Sequence, residues 1–195
     1  GEEDVQPKAA AISDRLAPLL PNDIPPAQFL TAAIIEANKL DDDVSARSVG
    51  IAVFNAAAMG LMFGPMGHVY LIPYKKQVQC IPGYKGFLDL AYSSGFLKRC
   101  NAEVVLRGEA FEQWHDSNGP QLSHKIPLER NLQRAEVIAA YCTYETVAGG
   151  KANVVVPRSE LDKVDTKKNV WASEYIAMCK KTPIRRASKE WKLTR

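Results

Sequence analysis

The chain has 195 residues, of which 46% are hydrophobic and 24% are charged, as in an ordinary globular protein. This length fits one domain, or one domain with an added lobe, and it allows roughly 70% of the extended surface to be buried. The composition excludes collagen-like and low-complexity chains, and no run reaches the roughly 20 apolar residues that span a bilayer. The four cysteines lack close Cys or His partners, which predicts reduced thiols and neither zinc nor disulfides.

Charge is distributed unevenly along the chain. The first fifty residues carry nine acidic and four basic side chains, whereas the rest carry thirteen and twenty-one. Residues 163–195 alone carry ten basic and three acidic side chains. This asymmetry favours a polyanionic partner for the basic part, although a solvated basic helix face explains the charge alone equally well.

The first sixty residues predict helices separated by prolines and loops. One helix spans residues 8–20, and a second opens at Pro25-Pro26. The acidic run at residues 41–43 lacks EF-hand spacing and predicts a loop. Ser45 is the expected N-cap of a third helix that ends at Gly60. Small and β-branched side chains form the predicted inner face of that helix: Val49, Val53, Ala56 and Ala57.

After residue 67 the hydrophobic period changes from helical to alternating. Residues 68–74 and 77–81 predict a hairpin with a basic tip at Lys75-Lys76. A helix over residues 84–93 follows, capped by Gly95. Further strands are predicted over residues 102–107, 136–146 and 153–156, the last two paired antiparallel. Residues 112–134 between them are polar, and we expect irregular structure there without assigning a role.

The predicted fold class is therefore α+β. Its expected parts are an N-terminal helical lobe, a basic-tipped β-hairpin, a central helix, a small antiparallel sheet and C-terminal basic helices. Residues 1–44 would form the lobe, and residues 45–195 would form the core.

The C-terminal helix shows the most informative local pattern. Trp171, Tyr175, Met178 and Thr182 share one face, and after Pro183 the apolar face moves to Ile184, Ala187 and Trp191. This shift predicts a kink or a restart with Thr182 as N-cap. On the segment after Pro183, four basic side chains lie within an arc of about 120° at helical spacing: Arg185, Arg186, Lys189 and Lys192. Glu190 is the one acid available for ion pairing there, which favours a phosphate-binding stripe over a solvated face.

A second basic group combines lysines with tyrosines. Lys75, Lys76 and Lys85 alternate with Tyr74 and Tyr84, an arrangement typical of single-strand binding, although packing explains the tyrosines equally well. No P-loop, nucleophile elbow, metalloprotease or dinucleotide motif is present in the sequence. Four carboxylates lack a recognisable nuclease spacing: Asp89, Glu103, Glu109 and Glu112.

Five segments together carry a resemblance to a known family. In chain order they are Ser48–Leu61, Leu71–Lys76, Gly83–Gly86, Leu90–Gly95 and Trp171–Arg186. In order and spacing they resemble RecT-type single-strand annealing proteins over roughly residues 45–191. Residues 109–134 are the least similar part, so Trp114, His115 and His124 receive no role.

The resemblance implies a phage or prophage recombinase of the RecT and lambda Red-beta group, located in the bacterial cytoplasm. Such proteins bind single-stranded DNA, assemble into homo-oligomeric rings or helical filaments, and pair complementary strands without ATP. It implies no bond-breaking catalysis, no membrane and no cofactor, apart from a divalent cation that screens phosphates. A phage exonuclease or a host single-strand-binding protein is a further candidate partner, and residues 1–44 are expected to provide oligomer contacts.

The expected DNA contacts follow by position. They are Lys75, Lys76, Tyr84, Lys85, Lys180, Lys181, Arg185 and Arg186, with Lys189 added from the basic stripe. The competing function is a passive coating protein that binds single strands without pairing them, and an RNA-binding module is a weaker third alternative.

Overall fold

A computed structural model describes residues 14–165 and 170–193. The described residues form two compact units, one up to Leu90 and one from Ala91 to Leu193. Helices and strands with small antiparallel sheets occur together, so the predicted α+β class is confirmed. In the part of the chain described, no helix is long and apolar enough to cross a membrane. The predicted boundary at residue 44 stays a prediction.

The first unit contains helices packed with one hairpin. Its elements are α1 (Pro26–Ala37), α2 (Ala46–Met59), β1 (Val69–Tyr74), β2 (Gln77–Pro82) and the start of α3 (Tyr84–Ser93). A helix was predicted over residues 8–20. Residues 14–16 are helical and lead into a 3-10 turn over Ala17–Leu19, and residues 8–13 lie outside the described residues. The Phe29 and Phe63 rings, 5.5 Å apart, form part of the core.

Ser45 caps α2 as predicted, and Gly60 ends it in the left-handed conformation. The buried residues of this helix are Ser48, Ala52, Ala56 and Ala57. Val49 and Val53 are half-buried, so the inner face is rotated slightly from the predicted one. Ser48 takes the inner position because its hydroxyl bonds the hairpin.

The second unit is built on a three-stranded antiparallel sheet in the order β3-β6-β7. These strands are β3 (Leu97–Leu106), β6 (Val137–Thr146) and β7 (Lys151–Pro157). Three helices follow: α4 (Arg158–Val164), α5 (Val170–Ser173) and α6 (Tyr175–Ala187). One sheet face packs against Leu161, Trp171, Tyr175 and Cys179 from these helices. The four cysteines are free thiols; Cys142 and Cys179 are buried, and Cys80 and Cys100 are half-buried.

The opposite sheet face is covered by a second hairpin, where irregular structure was predicted. Strands β4 (Ala110–Asp116) and β5 (Gly119–Lys125) pair antiparallel, so the prediction of irregular structure was wrong for this part of residues 112–134. The hairpin buries only a few apolar side chains, with Phe111 and Leu122 packing near Tyr141. Its remaining positions are mostly exposed and polar, which hides the alternation that marks a strand.

Of the two alternatives predicted at Thr182-Pro183, the restart was wrong, because α6 continues through Pro183 to Ala187, whereas the kink stays a prediction. The Thr182 hydroxyl donates to the Met178 carbonyl at 2.9 Å, so it does not cap a new helix. The buried residues are Tyr175, Cys179, Pro183, Ile184 and Ala187, whose spacing describes one continuous helical stripe. Met178 and Thr182 are half-buried beside that stripe, so the apolar face does not switch.

Candidate nucleic-acid interface

The tip of the first hairpin is fixed to the start of α2. Tyr74 pairs with Gln77, which leaves Lys75 and Lys76 as a two-residue turn. The Ser45 N–H donates to the Lys76 carbonyl at 2.8 Å. The Ser48 hydroxyl accepts from the Val78 N–H at 2.9 Å and donates to the Ser45 carbonyl at 2.7 Å. The backbone of the turn is therefore held while both lysine side chains are exposed.

Lys75 has φ +57°, in the left-handed region that favours glycine. A lysine in this conformation is strained by roughly 1 kcal/mol or more, and such strain is often found at functional positions. The Lys75 Nζ lies 6.0 Å from the centre of the Tyr74 ring. A two-residue hairpin turn requires a positive φ at a central position, and Lys75 occupies it.

The glycines of the Gly83–Gly86 segment allow close backbone packing at the start of α3. A Cβ atom at Gly83 would lie 2.4 Å from the Gly67 carbonyl oxygen, and one at Gly86 would lie 2.0 Å from that of His68. The Gly83 N–H also donates to the His68 carbonyl at 2.9 Å. Only glycine allows this approach, which fixes where the helix begins.

The close backbone contact at Gly83 and Gly86 also positions half-buried Tyr84 and exposed Lys85. These two residues follow the end of β2, whereas Lys75 and Lys76 precede its start. Six strand residues span about 20 Å. The structure therefore separates the two parts of the predicted basic group along β2.

The remaining predicted contacts lie on α6 and the 3-10 turn that follows it (Ser188–Glu190), but acids already hold two of them. The Lys180 Nζ lies 2.9 and 3.0 Å from the two carboxylate oxygens of Glu103. Arg186 contacts Glu160 at 3.2 Å, and Glu160 also pairs with Lys163 at 2.5 Å. Carboxylates of the protein therefore partly neutralise the positive charges of Lys180 and Arg186.

A cleft of about 400 Å³ lies beside the other α6 cations. We call it the cationic cleft; its lining is Val164, Trp171, Met178, Lys181, Thr182, Arg185, Arg186 and Lys189. No acid among residues 14–165 and 170–193 forms an ion pair with Lys181, Arg185 or Lys189. Burial, together with the nearby Arg185 charge, lowers the pKa of Lys181 below its ordinary value. The cleft therefore concentrates positive charge that the described chain does not neutralise.

Sequence reasoning missed a group of paired charges, which we call the polar network. Its members are Glu103, Glu109, His124, Arg130, Tyr141 and Lys180. The Arg130 Nε donates to Glu109 at 2.7 Å, and its terminal nitrogens reach Glu103 at 3.1 Å and the Val104 carbonyl at 2.7 Å. His124 lies 3.0 Å from both Glu109 and the Tyr141 hydroxyl. The network joins the β4–β5 hairpin and the following loop to the sheet.

Both acids of the polar network are held in the ionised form. Burial opposes ionisation of Glu103 and Glu109, but hydrogen bonds outweigh it and lower the pKa of each carboxyl group. For Glu103 the main donors are Lys180, the Val104 N–H and Arg130. For Glu109 they are Arg130, the Leu106 N–H and His124. The side-chain partners of the two acids lie 15 to 77 residues away in sequence, and no local motif indicates such pairing.

Metal ligation finds no support in the described parts of the chain. They hold no group of three or more His, Cys, Asp or Glu side chains that could bind a metal ion.

Comparison with known proteins identifies the family. The sequence profile of the RecT family matches residues 27–194. The chain belongs to the RecT family. Protein RecT of Escherichia coli (strain K12) is 29% identical to this RecT-family chain over 195 aligned residues, covering 92% of the chain and 71% of that protein. The protein YqaK of Bacillus subtilis (strain 168), whose name marks it as uncharacterized, is 24% identical over 131 residues, covering 65% of the chain and 44% of that relative.

The resemblance drawn from the five sequence segments is thereby confirmed. Family membership supports a recombination-related single-strand annealing protein.

Proposed function

We propose that this RecT-family protein binds single-stranded DNA through its backbone and anneals complementary strands without ATP. The observation that carries the proposal is the cationic cleft, where Lys181, Arg185 and Lys189 have no acid partner among the described residues. Cations that the protein leaves unneutralised are available to phosphates, and phosphate binding releases the counterions of the strand. The exposed Lys75 and Lys76 add a second cationic group.

Annealing requires each strand to be held while its base edges stay free. Lys and Arg side chains neutralise the phosphate repulsion that otherwise opposes bringing two strands together. Sequence is then read by base pairing rather than by the protein. No covalent bond is made or broken, so the proposed function needs neither a catalytic group nor a nucleotide. A divalent cation would act only by screening phosphates.

The proposed contacts are the nine residues predicted from the sequence. In the first unit they are Lys75, Lys76, Tyr84 and Lys85; in the second they are Lys180, Lys181, Arg185, Arg186 and Lys189. Lys180 and Arg186 are paired with Glu103 and Glu160. We therefore expect these two cations to contribute less to DNA affinity than the unpaired cations do.

Assembly is part of the proposal. One protomer offers a short binding surface, and repetition through a head-to-tail contact gives a ring or a filament with higher avidity. Residues 1–44, which are predominantly acidic, are proposed to face the basic surface of a neighbour. The proposed setting is the bacterial cytoplasm, with a phage exonuclease or a host single-strand-binding protein as a further partner.

The test is annealing of two dye-labelled complementary oligonucleotides without nucleotide, over a series of salt concentrations. We expect faster duplex formation that fades with salt and is absent for non-complementary strands. Tight binding with slowed pairing would instead establish a passive coating protein. The absence of single-strand binding at low salt would reject both functions.

A further inference from the structure

We propose that Cys100 and Cys142 form a redox site, in which hydrogen peroxide oxidises Cys100 and Cys142 then closes a reversible disulfide. We call these two residues the thiol pair. It lies in the central sheet of the second unit, on strands β3 and β6. The inference goes beyond the proposed function and does not depend on it, because neither thiol is among the proposed DNA contacts.

The strand register places both thiols on one face of the sheet. Cys100 of β3 pairs with Tyr144 of β6, and Ala102 pairs with Cys142. Because side chains alternate along a strand, Cys100 shares a face with Ala102 and therefore with Cys142. The two cysteines are diagonal neighbours, and a hydrogen bond joins their thiols. The Cys100 N–H also donates to the Tyr92 hydroxyl at 2.9 Å, which fixes the strand at this position.

Hydrogen bonding and burial give the two thiols different roles. The hydrogen bond to Cys100 and burial both raise the pKa of Cys142, which is inaccessible to water, so Cys142 keeps its proton and donates it. The same hydrogen bond lowers the pKa of Cys100 below its ordinary value, although burial opposes the change. Cys100 is only half-buried, so a small oxidant can reach it. A thiol of lowered pKa beside a second thiol is typical of redox-sensing cysteines.

The other two cysteines lack this arrangement. Burial raises the pKa of Cys80 to about 11, and Cys80 lies in the first unit. Cys179 is fully buried, burial raises its pKa, and its thiol forms a hydrogen bond with Tyr175. Of the four thiols, Cys100 alone has a lowered pKa. Cys80, which is half-buried like Cys100, is the natural control.

The proposed reaction uses one hydrogen peroxide as its oxidant. The Cys100 thiolate attacks a peroxide oxygen, the O–O bond breaks, and the leaving hydroxide takes up the proton that Cys100 released to form water. The sulfur of the resulting sulfenic acid is then attacked by the Cys142 sulfur. An S–S bond forms, and the Cys142 proton leaves with the hydroxyl group as a second water. Two thiols are oxidised to one disulfide, and one peroxide is reduced to two waters.

The diagonal spacing predicts a disulfide that is easily reduced. Diagonal neighbours in antiparallel strands have Cα atoms about 7–8 Å apart, whereas disulfides usually join Cα atoms about 4.4–6.8 Å apart. Closure must therefore draw the strands together, next to the register irregularity between Leu97 and Arg99. Strained disulfides have higher reduction potentials and are the labile ones, so reduced glutathione should restore both thiols.

The first experiment measures thiol reactivity in the full chain, by iodoacetamide labelling at neutral pH and peptide mass spectrometry. The pKa of Cys80 is about 11, and that of Cys100 lies below 9.0, so Cys100 carries roughly 100-fold more thiolate or better. The lower nucleophilicity of the less basic thiolate reduces the expected rate advantage to about tenfold. Equal labelling rates at Cys100 and Cys80 would overturn the proposal.

The second experiment treats the fully reduced chain with equimolar hydrogen peroxide and then identifies linked peptides. We expect a link between Cys100 and Cys142, and a fall from four free thiols to two that glutathione reverses. Cys80→Ser is the matched control and should form the same link. Cys142→Ser keeps a hydrogen-bond donor but lacks the second sulfur, so dimedone should trap Cys100 as its sulfenic acid.

The wild-type protein alone is sufficient to decide the outcome, even if substitution of buried Cys142 impairs folding. A wild-type chain that keeps four free thiols in peroxide would overturn the proposal. Oxidation of Cys100 to a sulfinic acid without a link would do the same, since Cys142 would then not act as the second thiol. A link through Cys80 or Cys179 would also contradict the assignment.

Discussion

The second unit contains two groups of charged side chains that differ in how they are neutralised. In the polar network, Arg130 contacts both Glu103 and Glu109 at hydrogen-bond distance, and His124 contacts Glu109. In the cationic cleft, Lys181 and Arg185 line the same surface without an acid partner among the described residues. The network is also the more buried of the two, because Glu109 and Arg130 are nearly inaccessible to water, whereas Arg185 and Lys189 are exposed and Lys181 is half-buried. The two groups therefore differ in both pairing and exposure.

The comparison separates charges that stabilise the fold from charges available to a ligand. A buried charge is tolerated when it is paired and hydrogen-bonded, and removal of one partner is strongly destabilising. An unpaired cation in a half-enclosed site weakens the free protein and is relieved when an anion binds. We therefore expect substitutions in the network to change stability, and substitutions in the cleft to change binding.

The largest effect is expected from Arg130→Met, which keeps much of the side-chain volume but removes the charge. Glu103 and Glu109 would both lose their shared partner, and Glu109 is nearly inaccessible to water. Breaking a buried pair in this way costs about 3–5 kcal/mol of unfolding free energy. Urea denaturation of the variant and the wild type measures the difference.

The same preparation provides the control for binding. Because Arg130 lies outside the cleft, the folded fraction of Arg130→Met should keep the wild-type salt dependence of single-strand binding. A loss of unfolding free energy below about 1 kcal/mol would place Arg130 among ordinary surface charges and remove the contrast between the two regions.

The next effect concerns acid pH. The pKa of Glu103 and of Glu109 is lowered from 4.5 in the folded protein, so their contribution to stability is present above pH 4.5 and is lost as pH falls through the folded values. Unfolding free energy should therefore decline as pH is lowered below about 4.5. Arg130→Met should show a weaker decline, because Glu109 has lost its main cation and Glu103 has lost one of its two cations. Equal pH dependence in the two proteins would contradict this assignment.

A smaller effect of opposite sign distinguishes neighbouring lysines on α6. Lys181→Gln removes a like-charge interaction with Arg185, so unfolding free energy should stay constant or rise by about 0.2–0.5 kcal/mol. Lys180→Gln, one residue earlier, removes the partner of Glu103 and should cost about 1 kcal/mol. Equal losses in the two variants would show that Lys181 also stabilises the fold.

The sequence predicted the local elements of this protein far better than its long-range pairs. The Ser45 cap, the Lys75-Lys76 turn and the helix over residues 84–93 depend on neighbouring residues, and the structure has all three. The β4–β5 hairpin was missed because the sheet beneath it, and not its own sequence pattern, supplies most of its buried contacts. The restart was predicted from the proline, but Pro183 is accommodated inside α6 and the Thr182 hydroxyl bonds the Met178 carbonyl.

In the candidate site, too, local features were predictable from the sequence and long-range pairs were not. Local spacing indicated the basic stripe of α6 and the 3-10 turn after it, including Arg185, Arg186 and Lys189. It could not show that Arg186 is paired with Glu160, 26 residues earlier, or that Lys180 is paired with Glu103, 77 residues earlier. Which cations are left unpaired depends on tertiary contacts, and this distinction defines the cleft.

The smallest expected effect is a proton taken up when the strand binds. Burial and the Arg185 charge place the pKa of Lys181 below its ordinary value of 10.5. In the free protein this lysine therefore loses its proton at a lower pH than an ordinary lysine does. A bound phosphate favours the charged form and raises the pKa again. Calorimetric titration at about pH 9, in two buffers of different ionisation enthalpy, should therefore show uptake of a fraction of a proton per protomer. Lys181→Gln should abolish the uptake, and Arg185→Gln should reduce it. Identical heats in the two buffers at this pH would mean that no phosphate approaches Lys181. The unpaired cations of the cleft would then not be the ones that bind the strand.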